Sequence, residues 1–178
     1  MEKENILVGI AYNAYDPVLL ETGERQSEES VVEVAEAVFS AISEDGFTAV
    51  ILPLRESLMT LLRRVRELKV DVLINLCEGF LGRPQLEANV AAVFEAFGIP
   101  FTGNPSKALA LCQDKFKAKA ILNSFGLPTA PGRLVTSIDQ KIDVRFPAIV
   151  KPNYEDASSG IYRDAVVTSQ ELLNGRIS

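Results

Sequence analysis

The chain has 178 residues, 47% of them hydrophobic and 24% charged, with a formal net charge of −6 and a pI near 4.8; this profile excludes a disordered chain, a collagen-like chain and one that spans a membrane. Histidine is absent, which removes the commonest general base, Ser-His and Cys-His nucleophile pairs and imidazole zinc sites, and leaves any catalysis to Lys, Arg, Asp, Glu, Ser, Tyr or a bound metal. The acidic balance speaks against nucleic acid, whose backbone is bound through clustered Lys and Arg.

Met1-Glu2-Lys3-Glu4-Asn5 leads into an apolar run without a small-residue cleavage site, and no apolar run reaches the ~18 residues of a membrane helix. Ile6–Ala11 reads as a buried first strand. Val31, Val34, Ala35, Val38, Phe39 and Ile42 then recur at helical spacing, with Ser27 or Ser30 as N-cap and Gly46 just past the end. Phe47–Leu52 is a second strand, and Leu58, Leu61, Leu62, Val65 and Leu68 mark the apolar face of a second helix. Val70–Leu76 is a third strand. A helix beginning near Pro84 carries Leu86, Val90, Val93, Phe94 and Phe97 before Gly98 stops it. Ile99–Gly103 reads as a short fourth strand, so residues 1–103 predict a doubly wound parallel-sheet domain. Cys77 and Cys112 sit in apolar contexts and are read as buried free thiols, which makes the reducing cytoplasm the expected compartment.

Residues 104–178 have a different pattern. A helical stretch over 106–125, with Asp114 placed to cap a second helix within it, leads to the turn Gly126-Leu127-Pro128. Arg133–Val135, Phe146–Lys151 and Asp164–Val167 read as strands, and Thr168 as the cap of a final helix. Three strands and one short helix do not enclose a core, since even chains of ~60 residues are marginal alone, so the sequence reads as stopping inside its second domain.

Three stretches carry residue types suited to chemistry. Lys151 ends an apolar strand and is followed by a loop ending in Ser158, Ser159 and Gly160, whose backbone N–H groups and hydroxyls suit a phosphate; a polar hairpin loop with a solvated lysine has the same pattern. Lys115 and Lys119 lie one turn apart on a helix face, with Lys117 pointing away, which suits a polyphosphate and equally a solvated face. Glu78 lies in Asn75–Gly82, at the carboxyl end of the third strand where ligands of doubly wound sheets settle, and suits a substrate ammonium; a strand-to-helix turn needing glycine reads the same way. Ser27-Glu28-Glu29-Ser30 opens the first helix beside the same edge.

Taken in order, Ile99–Gly103, Ala108–Lys115, Gly126–Pro131 and Pro147–Pro152 leading into the Ser-Ser-Gly loop resemble the ATP-grasp superfamily, specifically the D-alanine–D-alanine ligases and their close relatives. The resemblance runs over 72–161, about half of the chain. It implies a doubly wound parallel-sheet N-terminal domain holding an amino-acid or peptide substrate, followed by the first, incomplete part of an ATP-grasp α+β domain. It implies that Lys115 and Lys151 contact the phosphates of ATP, that Ser158, Ser159 and Gly160 form a lid with Glu155 beside it, and that Glu28 is the nearest match to the family's acid that meets the substrate ammonium. Such ligases phosphorylate a carboxylate and let an amine attack the acyl phosphate, so positioning and charge neutralisation by Lys, Arg and Mg²⁺ dominate and histidine is dispensable.

The chain departs from the family after the first strand, where Tyr12–Pro17 replaces a Gly-Gly-x-Ser element, and after the third, where Leu76-Cys77-Glu78-Gly79 replaces His-Gly. Both changes fall on the substrate side, which leaves a different amino acid or a peptide as an alternative. A non-catalytic ATP-grasp-like binding module is a further one. The metal ligands, the adenine hinge and the catalytic Arg of the family are expected beyond Ser178, so the chain alone is expected to be inactive. A homodimer is a further expectation.

Overall fold

Three apolar runs become three parallel strands in the computed structural model, which describes residues 5–14, 22–155 and 160–177, with 22–30 described by backbone alone. Strand β1 (Leu7–Asn13) is central, between β2 (Thr48–Leu54) and β3 (Val72–Leu76). Side chains alternate across a strand, and the two faces bury different partners. Ile10 and Tyr12 pack with Ala35, Val31, Val38 and Phe39 of helix α1 (Thr22–Glu44). Ala11, Leu52, Leu54 and Leu73 pack on the opposite face with Leu61, Leu62 and Val65 of α2 (Leu58–Leu68) and with Val90 and Phe94 of α3 (Glu87–Ala96). Gly9 faces the second layer, where a Cβ would lie 2.7 Å from both Leu52 Cδ1 and Leu73 Cδ2; the side chains of the two flanking strands close over β1 there because that side chain is absent.

The helix ends follow local chemistry. Ser57 caps α2 by accepting from the Thr60 amide at 3.3 Å. A 3-10 turn over Pro84–Leu86 leads into α3, and Gly98 ends it with a φ of +63°. Glu95 then reaches the start of α4 (Ser106–Gln113), accepting from the Ser106 amide at 2.8 Å and its hydroxyl at 2.5 Å.

Several predicted elements are corrected. Helix α1 begins at Thr22, so Ser27 and Ser30 lie inside it instead of capping it. The fourth strand contracts to one parallel bridge between Leu73 and Phe101. Leu73 donates to the Pro100 carbonyl at 2.8 Å and accepts from Thr102 at 2.9 Å. The ladder goes no further, since Pro100 has no N–H to give and Gly103 turns away at a φ of +106°. Arg133–Val135 forms no strand, and Phe146–Lys151 keeps only β4 (Ala148–Ile149), paired antiparallel with β5 (Val166–Val167). Ser169, one residue after the expected Thr168, caps α6 (Gln170–Ile177), its hydroxyl accepting from Leu172 at 3.3 Å.

The chain divides into two compact units, one up to Leu109 and one from Ala110 onward. The second has a small core of Ile142, Val167 and Leu173, with Val135, Val144, Ala148, Val150 and Ile177 packed against it. Helix α5 (Lys115–Ser124) carries no buried side chain. No described helix is long and apolar enough to cross a membrane.

Candidate functional site

The second unit gathers its polar residues around the start of α5. Asp114 caps that helix, with its Oδ1 accepting from the Lys117 amide at 3.0 Å. The same Oδ1 accepts from Asn153 Nδ2 at 2.8 Å, while Oδ2 accepts from the Tyr154 hydroxyl at 3.2 Å and pairs with Lys117 Nζ at 3.0 Å. The carboxylate is almost wholly buried, with a relative exposure of 4%, and carboxylates are buried charged only when they are so paired. The hydrogen bond from Asn153 leads in holding its carboxyl well below the usual carboxylate range, with those of Lys117 and Tyr154 adding to it against the cost of burial.

Asn153 uses both ends of its side chain, since its Oδ1 also accepts from the Phe116 amide at 2.9 Å. Its carbonyl accepts from the Lys115 amide and from Lys115 Nζ, each at 3.3 Å. Lys115 Nζ donates in addition to the Glu155 carbonyl. The structure therefore brings Lys115 and Glu155 together, through the backbone of the loop and not through the Glu155 carboxylate. Lys151, two residues before Asn153, is exposed and has no hydrogen-bond or ion-pair partner among the described residues. Ser158 and Ser159 lie outside the described residues. Gly160 has a φ of +69° and leaves room for Pro152, whose Cγ a Cβ would meet at 2.8 Å; its carbonyl accepts from Arg176 Nη2 at 2.8 Å, and Arg176 pairs with Asp164 at 3.2 Å. Lys119 turns to Gly132, where a Cβ would lie 2.9 Å from its Nζ.

In the first unit the carboxyl edge of the sheet is organised by Asn13, a buried residue at the end of β1. Its Oδ1 accepts from the Glu78 amide at 2.7 Å and its Nδ2 donates to the Gly79 carbonyl at 2.8 Å. Glu78 is left exposed at that edge. Gly79 is required there because a Cβ would lie 2.8 Å from the Arg83 carbonyl oxygen. The side chain of Glu28 lies outside the described residues. Cys77 is buried in the core as expected, and burial, with Glu87 adding, pushes its thiol up to about 12. Cys112 corrects the expectation, for it is exposed on α4, where the helix presents it away from the core that its apolar sequence neighbours suggested.

Sequence reasoning found Lys115 and the cap at Asp114 but missed Asn13, Asn153 and Tyr154. Their partners lie 37 to 66 residues away, and no periodicity registers contacts at that range. An Asn directly after the Lys-Pro of a strand exit was the one local signal.

No protein-family model matches the chain. D-alanine–D-alanine ligase B of Pseudomonas putida is 30% identical over 141 residues, covering 77% of this chain and 42% of its own length. The D-alanine–D-alanine ligase of Paramagnetospirillum magneticum is 30% identical over 128 residues, covering 71% and 41%. The chain is homologous to the D-alanine–D-alanine ligases. It spans less than half the length of these relatives. The crystal structure of the D-alanine–D-alanine ligase from Bacillus anthracis complexed with ATP matches it with a TM-score of 0.70 at 17% identity, over 96% of this chain and 51% of that one. The fold is thus that of a D-alanine–D-alanine ligase over the matched stretch: an α/β unit on a parallel sheet leading into the first part of an ATP-grasp domain.

Proposed function

We propose that this chain is the N-terminal part of an ATP-dependent carboxylate–amine ligase of the D-alanine–D-alanine ligase type, with the amino-acid side in its first unit and a phosphate grip in its second. Homology to the ligases over 77% of the chain carries the reading. The residues fit a polyphosphate: Lys115 Nζ is fixed at the Asn153 and Glu155 carbonyls, and the exposed Lys151 offers a second ammonium two residues upstream. Bound ATP supplies the phosphoryl group that activates the carboxylate. Lys115 and Lys151 orient and neutralise its phosphates, and Glu78 at the sheet edge receives the substrate ammonium, with Glu28 as a second acidic group for that end. Ser158, Ser159 and Gly160 are assigned to the phosphate loop with Glu155.

No three Asp, Glu or Cys side chains gather among the described residues, and the ligands for Mg²⁺ are assigned to the remainder of the ligase, beyond Ser178. The proposal includes a cytoplasmic protein that acts on a small amino acid or peptide and pairs as a homodimer. A second substrate reading, a ligase for another amino acid or a peptide, rests on the departure of Leu76–Gly79 from the family's His-Gly element, at the edge where Asn13 holds Glu78 and Gly79.

ADP release by the product of the whole reading frame, given Mg-ATP and each amino acid in turn, tests this. Turnover with D-alanine alone supports the narrow substrate, and turnover with another amino acid supports the second reading. Absence of amino-acid-dependent ADP release overturns both. The 178-residue chain by itself is expected to release no ADP, and release from a preparation free of other ligases contradicts that.

A further inference from the structure

Lys115 is the first residue of α5, and its ammonium reaches back to a loop that lies 38 and 40 residues further along the chain. A lysine side chain has several rotatable bonds and loses much freedom when fixed, so something must hold helix and loop in register for the ammonium to rest there. The bonds that do so belong to neighbouring residues. Asn153 spans the gap with Nδ2 on Asp114 and Oδ1 on the Phe116 amide. Asp114 closes the other side, taking Asn153 and Tyr154 from the loop and the Lys117 amide from the helix on its two oxygens. With the Lys117 ammonium as well, the carboxylate's lone-pair sites are filled.

We propose that Asp114 and Asn153, with Tyr154, are positioning residues that latch the loop after β4 to the start of α5 and so set the Lys115 ammonium for the nucleotide phosphates. This rests on the ATP-dependent reading above. None of the three touches the phosphates; each acts through Lys115. Removing the Asn153 side chain strips a partner from a buried carboxylate and from the Phe116 amide at once, and Lys115 is then no longer held to one place.

The test uses the product of the whole reading frame, with ATP binding measured directly and kcat and the KM for ATP measured in turnover. Asn153→Ala is expected to raise the dissociation constant and the KM for ATP about tenfold, as the loss of a buried charged hydrogen bond does, at a temperature where the variant, whose unfolding midpoint falls modestly, is still fully folded, while kcat stays near that of the unaltered protein. Tyr154→Phe, which removes one hydroxyl, shifts the KM in the same direction by less. Asp114→Asn keeps an acceptor for the Asn153 amide and the helix cap, and restores most of the affinity that Asp114→Ala loses. Unchanged ATP affinity in Asn153→Ala and Tyr154→Phe overturns the latch and leaves the ligase reading standing. Affinity losses that only track a lowered unfolding midpoint overturn it as well, since the role is then structural. If the unaltered protein binds no ATP, the ligase reading falls and the latch proposal falls with it.

Discussion

In the first unit Ile10, Leu73, Val90 and Phe94 are sealed between three paired strands and the helices on their faces. In the second, each strand has two residues, α5 buries no side chain, and a buried carboxylate, Asp114, ties helix to loop. The comparison separates two ways of fixing a backbone. Apolar burial is non-directional and sums over area, so it builds a frame that tolerates detail. A hydrogen-bonded carboxylate is directional and sets the position of one group, which is what a phosphate-binding lysine needs.

Substitutions that delete apolar volume should therefore damage the first unit most. Phe94→Ala removes a fully buried ring and is expected to cost about 3–5 kcal/mol, read as lost amide-exchange protection across β1 and β3. Gly9→Ala adds a Cβ against Leu52 and Leu73, both nearly fully buried, so their methyl groups must shift within a packed core; about 1–3 kcal/mol is expected, measured by urea denaturation. Protection around α5 that collapsed as far as that of β1 in either variant would erase the distinction between the units.

Acid sharpens the contrast from the other side. The folded carboxyl of Asp114 is held below its ordinary value of 3.8. The stability it adds is thus fully present above that pH and is lost as pH falls from there through the folded value. The protection factors of the Lys115–Lys117 amides, their exchange rates referred to the unprotected rate at each pH, should fall in that acid window, and Asp114→Asn should flatten the response. Exchange that is as pH-sensitive in the variant would assign the effect to another group. Cys77 has the opposite sign: its folded value near 12 stands above the ordinary 9.0, so its contribution is complete below pH 9.0 and fades as pH rises toward 12. At pH ~8 iodoacetamide should alkylate the exposed Cys112 and spare Cys77 until the unit unfolds, which mass spectrometry resolves by residue.

How much the sequence disclosed follows the same division. The apolar periods of 6–11, 47–52 and 58–68 place β1, β2 and α2 to within a few residues, because the burial that makes them is written in local spacing. Asp114 as a cap was also legible, since its partner is the Lys117 amide three residues on. Its bonds to Asn153 and Tyr154 were not, being set by the fold and not by spacing. The strand expected at Arg133–Val135 shows the converse: Val135 does join the small core, but no strand among the described residues pairs with its backbone. Lys115 and Lys151 stood out by resemblance to the ligases, and geometry adds a seat for the first of them.

The central claim is that the second unit grips the phosphates of ATP through Lys115 and Lys151. Titration of ATP into the product of the whole reading frame and into its Lys151→Ala variant tests it most directly. Lys151 is exposed, so its removal leaves the fold intact, and the account predicts an affinity lower by about tenfold or more, as expected for a charge-assisted phosphate contact. Equal affinity in the two proteins would contradict it.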